Sequence, residues 1–152
     1  MTDADMEKKI EQLKAELKQR AELSERELEE ELRKAFRESG LSLFRRDRYY
    51  YILDGEQVVS VDAARWSAWY EFHYHERIIA RTVVHEGIEV STVFLGLDHR
   101  FGESGPPILF ETMVFGGLCD GDIQRYPTME ESRRGHWAMV NRVQLAEAGE
   151  AL

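Results

Sequence analysis

Ile88–His99 reads IEVSTVFLGLDH and Pro106–Gly117 reads PPILFETMVFGG. The first run is β-branched and aromatic, a composition that suits a pleated surface. Counting by two, one face carries Ile88, Val90, Thr92 and Phe94, and the other carries Val93, Leu95 and Leu97. Both faces turn apolar toward the C-terminal half, which predicts a central strand ending at Asp98-His99. In the second run, Ile108–Phe115, the same count puts Leu109, Glu111, Met113 and Phe115 on one face. Glu111 then sits inside an apolar row. A buried carboxylate must be paired, hydrogen-bonded or protonated. An arginine, a capped helix end, or a site shared with Asp98 and His99 would each serve. A structural ion pair is the commoner account of such a group.

Working outward, Ile78–Val84 is a strand candidate, with His85-Glu86-Gly87 as its turn into the central run. The connections are too short for crossovers, so the three strands form an antiparallel meander. Arg100–Pro107, rich in Gly and Pro, is a loop. It lacks the G-K-[ST] ending of a phosphate loop. Gly116–Tyr126 reads as a second loop. Asp120 and Asp122 flank Gly121 there, but without calcium-loop spacing, so they mark a surface turn. Thr128 with Glu131 is a capping-box pattern, and a helix is expected from Met129 to about Leu145. Gly135 weakens that helix by about 1 kcal/mol relative to Ala, which points to close packing on the sheet. His136, Val140 and Val143 share a face with Met129.

Upstream, Tyr49–Leu53, Asp54-Gly55 and Gln57–Val61 read as a hairpin with a two-residue turn. Asp62 is a reasonable N-cap. Trp66, Trp69, Tyr70 and His73 follow at helical spacing on one face, as core packing or as the lining of a planar-ligand pocket. His73 and His75 are poorly spaced on a helix for one metal, and no third ligand is near in sequence, so no metal site is read there. Arg45, Arg46 and Arg48 precede Tyr49, Tyr50 and Tyr51. Basic residues beside aromatics can bind nucleotides or single strands. The acidic balance of the chain weighs against that reading.

Asp3–Glu38 holds no Gly or Pro and is built of good helix formers. Met6, Ile10, Leu13 and Leu17 step as a heptad seam, which weakens at Ala21 and Ser24 and resumes at Leu28, Leu32 and Ala35. Ser24 with Glu27 is a capping box, and Leu23 with Leu28 a hydrophobic staple. One continuous helix is slightly preferred over two. Its narrow stripe must be buried, either between copies of the chain (residues 6–36) or back on its own domain. All five lysines lie in the first 34 residues and every later basic residue is arginine. That shift, with Gly40, divides a helical, coiled-coil-like arm (1–40) from an α+β domain (41–152).

The chain of 152 residues is 43% hydrophobic, enough for a core in one domain with an appendage. A net charge of −9 argues against general nucleic-acid or anionic-membrane binding, and permits a decoy for a basic surface. The single cysteine, Cys119, excludes an internal disulfide and a cysteine-built zinc site, and fits a reducing compartment. No apolar run is long enough to span a membrane, and the charged N-terminus is unlike a signal peptide. No cofactor is indicated.

STVFLGLDH (91–99), PPILFETMVFGG (106–117) and YPTMEESRRGH (126–136) resemble motifs of an uncharacterised family of small phage and prophage proteins. The resemblance covers about Tyr49–Val143. It implies a phage-type origin and the bacterial cytoplasm, and brings no activity or catalytic residues.

Two function classes follow. One is a non-enzymatic, oligomeric binding protein of α+β fold directed at a host or phage protein, for counter-defence or regulation. Arg45, Arg46, Arg48, Trp66, Trp69 and Tyr70 are its candidate binding residues. The alternative is a metal-dependent hydrolase or nuclease using Asp98, His99, Glu111 and His136, since carboxylates with imidazoles can hold a divalent metal or transfer protons. It requires those four side chains to converge.

Overall fold

Ser24 divides the N-terminal helical segment. Its backbone is extended (φ −67°, ψ 161°), so no helix runs through it. Helix α1 spans Asp3–Lys18 and α2 spans Glu25–Glu38. This computed structural model describes residues 3–18, 23–40, 49–100 and 104–150. The Ser24 side chain accepts from the Glu27 N–H, and the Glu27 carboxylate accepts from the Ser24 N–H at 2.8 Å. The continuous helix preferred from the sequence is therefore corrected to two. The capping box supplies acceptors to the free N–H groups of a helix start, which a through-running helix would not have.

The chain forms two compact units. The first comprises Met1–Ile52 and Val59–His73, so the expected boundary near Gly40 falls inside it. Within this unit α2 buries Leu28, Leu32 and Phe36. The N-cap of helix α3 (Ala63–Phe72, preceded by strands β1, Tyr51–Asp54, and β2, Gln57–Ser60) is Asp62, as expected; its carboxylate accepts from the Arg65 N–H at 2.9 Å. Ion pairs tie α2 to α3. Arg33 bridges Glu29 and Asp62, and Arg65 meets Glu25 at 2.6 Å. Ile10 of α1 is also buried. The seam positions Ile10, Leu28 and Leu32 are thus covered within one chain and are not offered to a second copy. The side chain of Leu17 lies outside the described residues.

Strands β1 and β2 form the expected two-stranded hairpin, with Gly55 at φ 60° in its turn. The second unit contains the hairpin tip, Leu53–Val58, and Tyr74–Leu152. Strands β3 (Ile78–His85), β4 (Ile88–Phe94), β5 (Phe110–Phe115) and β6 (Ile123–Tyr126) form an antiparallel sheet in the order β3-β4-β5-β6, and helix α4 (Met129–Glu150) packs on one face. The architecture is α+β, as the sequence predicts.

Thr92 of β4 faces Thr112 of β5, and both are fully buried. This pairing sets which face of β5 is inside. Val90, Thr92 and Phe94 face inward, and so do Phe110, Thr112 and Val114. The expected inner row of β5 (Glu111, Met113, Phe115) therefore lies on the opposite face, a one-residue change of parity that moves every side chain across the sheet. Leu109 is buried but precedes the strand. Under α4 the core is Val90, Val114, Cys119, Met139, Val140 and Val143.

The fourth strand, β6, replaces the second half of the loop expected over Gly116–Tyr126. Its turn is held by Asp120, whose carboxylate accepts from the Gly116 N–H at 2.7 Å. Gly116 is left-handed (φ 79°), and a Cβ there would run into the Gly87 carbonyl in the β3–β4 turn. Two chain reversals meet where only glycine fits.

Candidate functional site

His136 is fully buried on the inner face of α4. Its Nδ1 lies 2.8 Å from the Thr92 hydroxyl and its Nε2 lies 2.8 Å from the Thr82 hydroxyl. Thr92 in turn lies 2.6 Å from the Thr112 hydroxyl. Three adjacent strands each supply one threonine to this chain of contacts. A neutral imidazole donates from one nitrogen and accepts at the other, and hydroxyls satisfy either arrangement. Burial lowers the His136 pKa, because the charged ring would lose its water. The polar group expected in the core is thus satisfied by side chains of the sheet. Thr92 stands in the apolar row that defines β4, while nothing local in the sequence links Thr82 and Thr112 to it.

The four residues of the catalytic alternative are each engaged elsewhere. Glu111 is on the outer face, opposite His136, and its carboxylate accepts from Arg125 of β6 at 2.8 Å. Arg125 is its direct cross-strand partner, so the ion pair weighed from the sequence is the arrangement found. The Asp98 carboxylate accepts from Arg100 Nε at 2.7 Å and from the N–H groups of Ile108 (3.0 Å) and Arg100 (3.1 Å). Burial alone would raise the Asp98 pKa, but these hydrogen bonds outweigh it and the net shift is downward. Asp98 is thereby a fixed anion that closes the loop between β4 and β5. His99 Nδ1 lies 2.8 Å from the Leu97 carbonyl. Among the described residues no group of three or more His, Cys, Asp or Glu is placed to hold a metal.

The aromatic stripe of α3 is interior. Trp66 and Trp69 are buried, and Tyr70 is half-buried. Trp66 makes tilted ring contacts with Tyr50, 5.3 Å between centroids, and with Tyr70, 4.9 Å. His73 lies parallel to Trp69 and 2.8 Å from Glu25. This is core packing for most of the ring surface. Arg45, Arg46 and Arg48 lie outside the described residues.

The outer face of the four-stranded sheet was not singled out from the sequence. It carries Val83, Val93, Met113, Phe115 and Ile123, placed there by the pairings Val83↔Glu89, Glu89↔Phe115, Val93↔Glu111 and Met113↔Ile123. Val83 is 67% exposed, Ile123 48% and Phe115 47%. The ion pairs Arg81–Glu89 (2.6 Å) and Glu111–Arg125 (2.8 Å) stand on the same face. Apolar side chains on this face thus stand among charges that are paired with one another. The signal in the sequence was the alternation of Ile123 and Arg125, hidden because Gly121 and Asp122 read as loop. Compared with family models, curated proteins and solved structures, the chain finds no match.

Proposed function

We propose that this chain is a non-catalytic binding protein that engages a partner protein through the outer face of its four-stranded sheet. The observation that carries the reading is that Val83, Phe115 and Ile123 are all exposed on the face that α4 leaves uncovered. The polar groups of that face are already matched in pairs, so covering them strands no single charge. The acidic groups first considered for catalysis act instead as structural anions, holding a loop (Asp98) and an edge strand (Glu111). The motif resemblance over residues 49–143 supports a host or phage protein as the partner, in counter-defence or regulation. The partner contact is assigned to the sheet rather than to the helical seam.

The test is affinity capture from phage-infected and uninfected bacterial extracts with the full chain, with Ile123→Asp and Val83→Asp, and with Trp137→Ala on the exposed side of α4. A defined partner that is lost with both sheet-face variants and retained by Trp137→Ala is the expected result. Capture indifferent to Ile123 and Val83 would overturn the assignment of the surface.

A further inference from the structure

Lys14 is 5% exposed in a helix whose lysines Lys8 and Lys9 are exposed. Its ammonium lies 5.2 Å from the centre of the Trp66 ring and 6.0 Å from that of Tyr70. Its ion partner is Glu11 of the same helix, at 2.8 Å, and that carboxylate is itself exposed. A cation therefore lies over two aromatic rings and is paired with one exposed carboxylate. Two ring faces and a carboxylate are the elements that recognise an alkylammonium ion, through the ring quadrupoles and the charge. The helix that fills the place is lightly anchored. Of its described side chains only Ile10 and Lys14 are buried.

We infer that the Trp66–Tyr70–Glu11 cage is a receptor for the alkylammonium side chain of a lysine-bearing partner segment, and that Lys14 occupies it as an internal stand-in. The net charge of −9 favours approach of a basic segment. Lysine, rather than leucine, at this buried position then has a reason: it can be exchanged for a like group. This site lies within the first compact unit and does not depend on the sheet-face reading.

The experiment uses the full-length chain and tetramethylammonium chloride, against sodium chloride at equal ionic strength. The readout is the Trp66 indole resonance, assigned by Trp66→Phe. Lys14→Ala empties the cage and is expected to bind tetramethylammonium about tenfold more tightly than the unaltered chain, the change that about 1.4 kcal/mol produces. Lys14→Ala combined with Trp66→Leu is expected to lose that gain. In the unaltered chain, the added cation is expected to speed acetylation of Lys14 relative to Lys8 and Lys9, because displaced Lys14 becomes accessible. This second measurement stands even if the Lys14 variant does not fold. Acetylation of Lys14 unchanged by the cation would overturn the proposal, as would a folded Lys14→Ala that binds no more tightly or a gain that survives loss of Trp66.

Discussion

The atoms that contact the His136 ring are hydroxyls of Thr82 and Thr92, which solvate an imidazolium poorly compared with water. The pH dependence follows from that. The native pKa is depressed below the ordinary value of 6.5, whereas the unfolded chain titrates near that value. The stability that the neutral ring provides is full above about pH 6.5 and is lost as pH falls through 6.5 toward the native pKa, with a limiting slope of about 1.4 kcal/mol per pH unit for one proton. Urea midpoints measured from pH 8 to pH 5 should fall more steeply for the unaltered chain than for His136→Gln. Equal slopes would show that His136 takes up no fewer protons folded than unfolded. Thr92 is the hub of the same contacts, so Thr92→Val leaves both His136 and Thr112 short of a partner. It should cost about 1–3 kcal/mol. Thr82→Val, which removes one contact, should cost less in the same denaturation assay.

At the scale of elements, Gly135 decides how closely α4 approaches the sheet. A Cβ there would enter the ring of Tyr126, which is itself buried. Helix propensity favours Gly135→Ala by about 1 kcal/mol. The overlap opposes it by about 1–3 kcal/mol. A net loss of stability is expected for Gly135→Ala. Tyr126→Ala combined with it should show favourable coupling in a double-mutant cycle, and additive losses would mean the two do not meet. The close approach was legible in the sequence, as were the Ser24 and Asp62 caps, the hairpin and β4, because each rests on local chemistry. The inner face of β5 was not. It follows from the pairing of Thr112 with Thr92, a long-range fact, while the apolar count along Leu109, Glu111, Met113 and Phe115 pointed the other way. Strand β6 was missed because three of its four residues are exposed and its pattern shows only against β5. The candidate site was read least well. Glu111 and His136 were each recognised as polar groups in apolar rows, but the sheet places them on opposite faces.

For the whole molecule, burial is unevenly spread. Strands β4 and β5 and helix α4 share a continuous core, while α1 is anchored by Ile10 and Lys14 among its described side chains. Local opening follows the buried contacts an element would lose. Amides of α1 should therefore exchange with solvent deuterium well before those of β4 and β5 under native conditions. Comparable protection of α1 and β4 would contradict that light anchoring.

The confinement of lysine to the first 34 residues has a practical consequence. The described lysines Lys8, Lys9 and Lys14 stand on α1 and Lys34 stands on α2, while the sheet and α4 carry only arginine. Reagents that couple to side-chain amines, such as fluorophores, biotin esters and activated surfaces, will mark the N-terminal helices and leave Val83, Phe115 and Ile123 chemically untouched. A sensor chip loaded through side-chain amines would therefore hold the molecule by its helical segment and keep the sheet face chemically intact for a partner in solution.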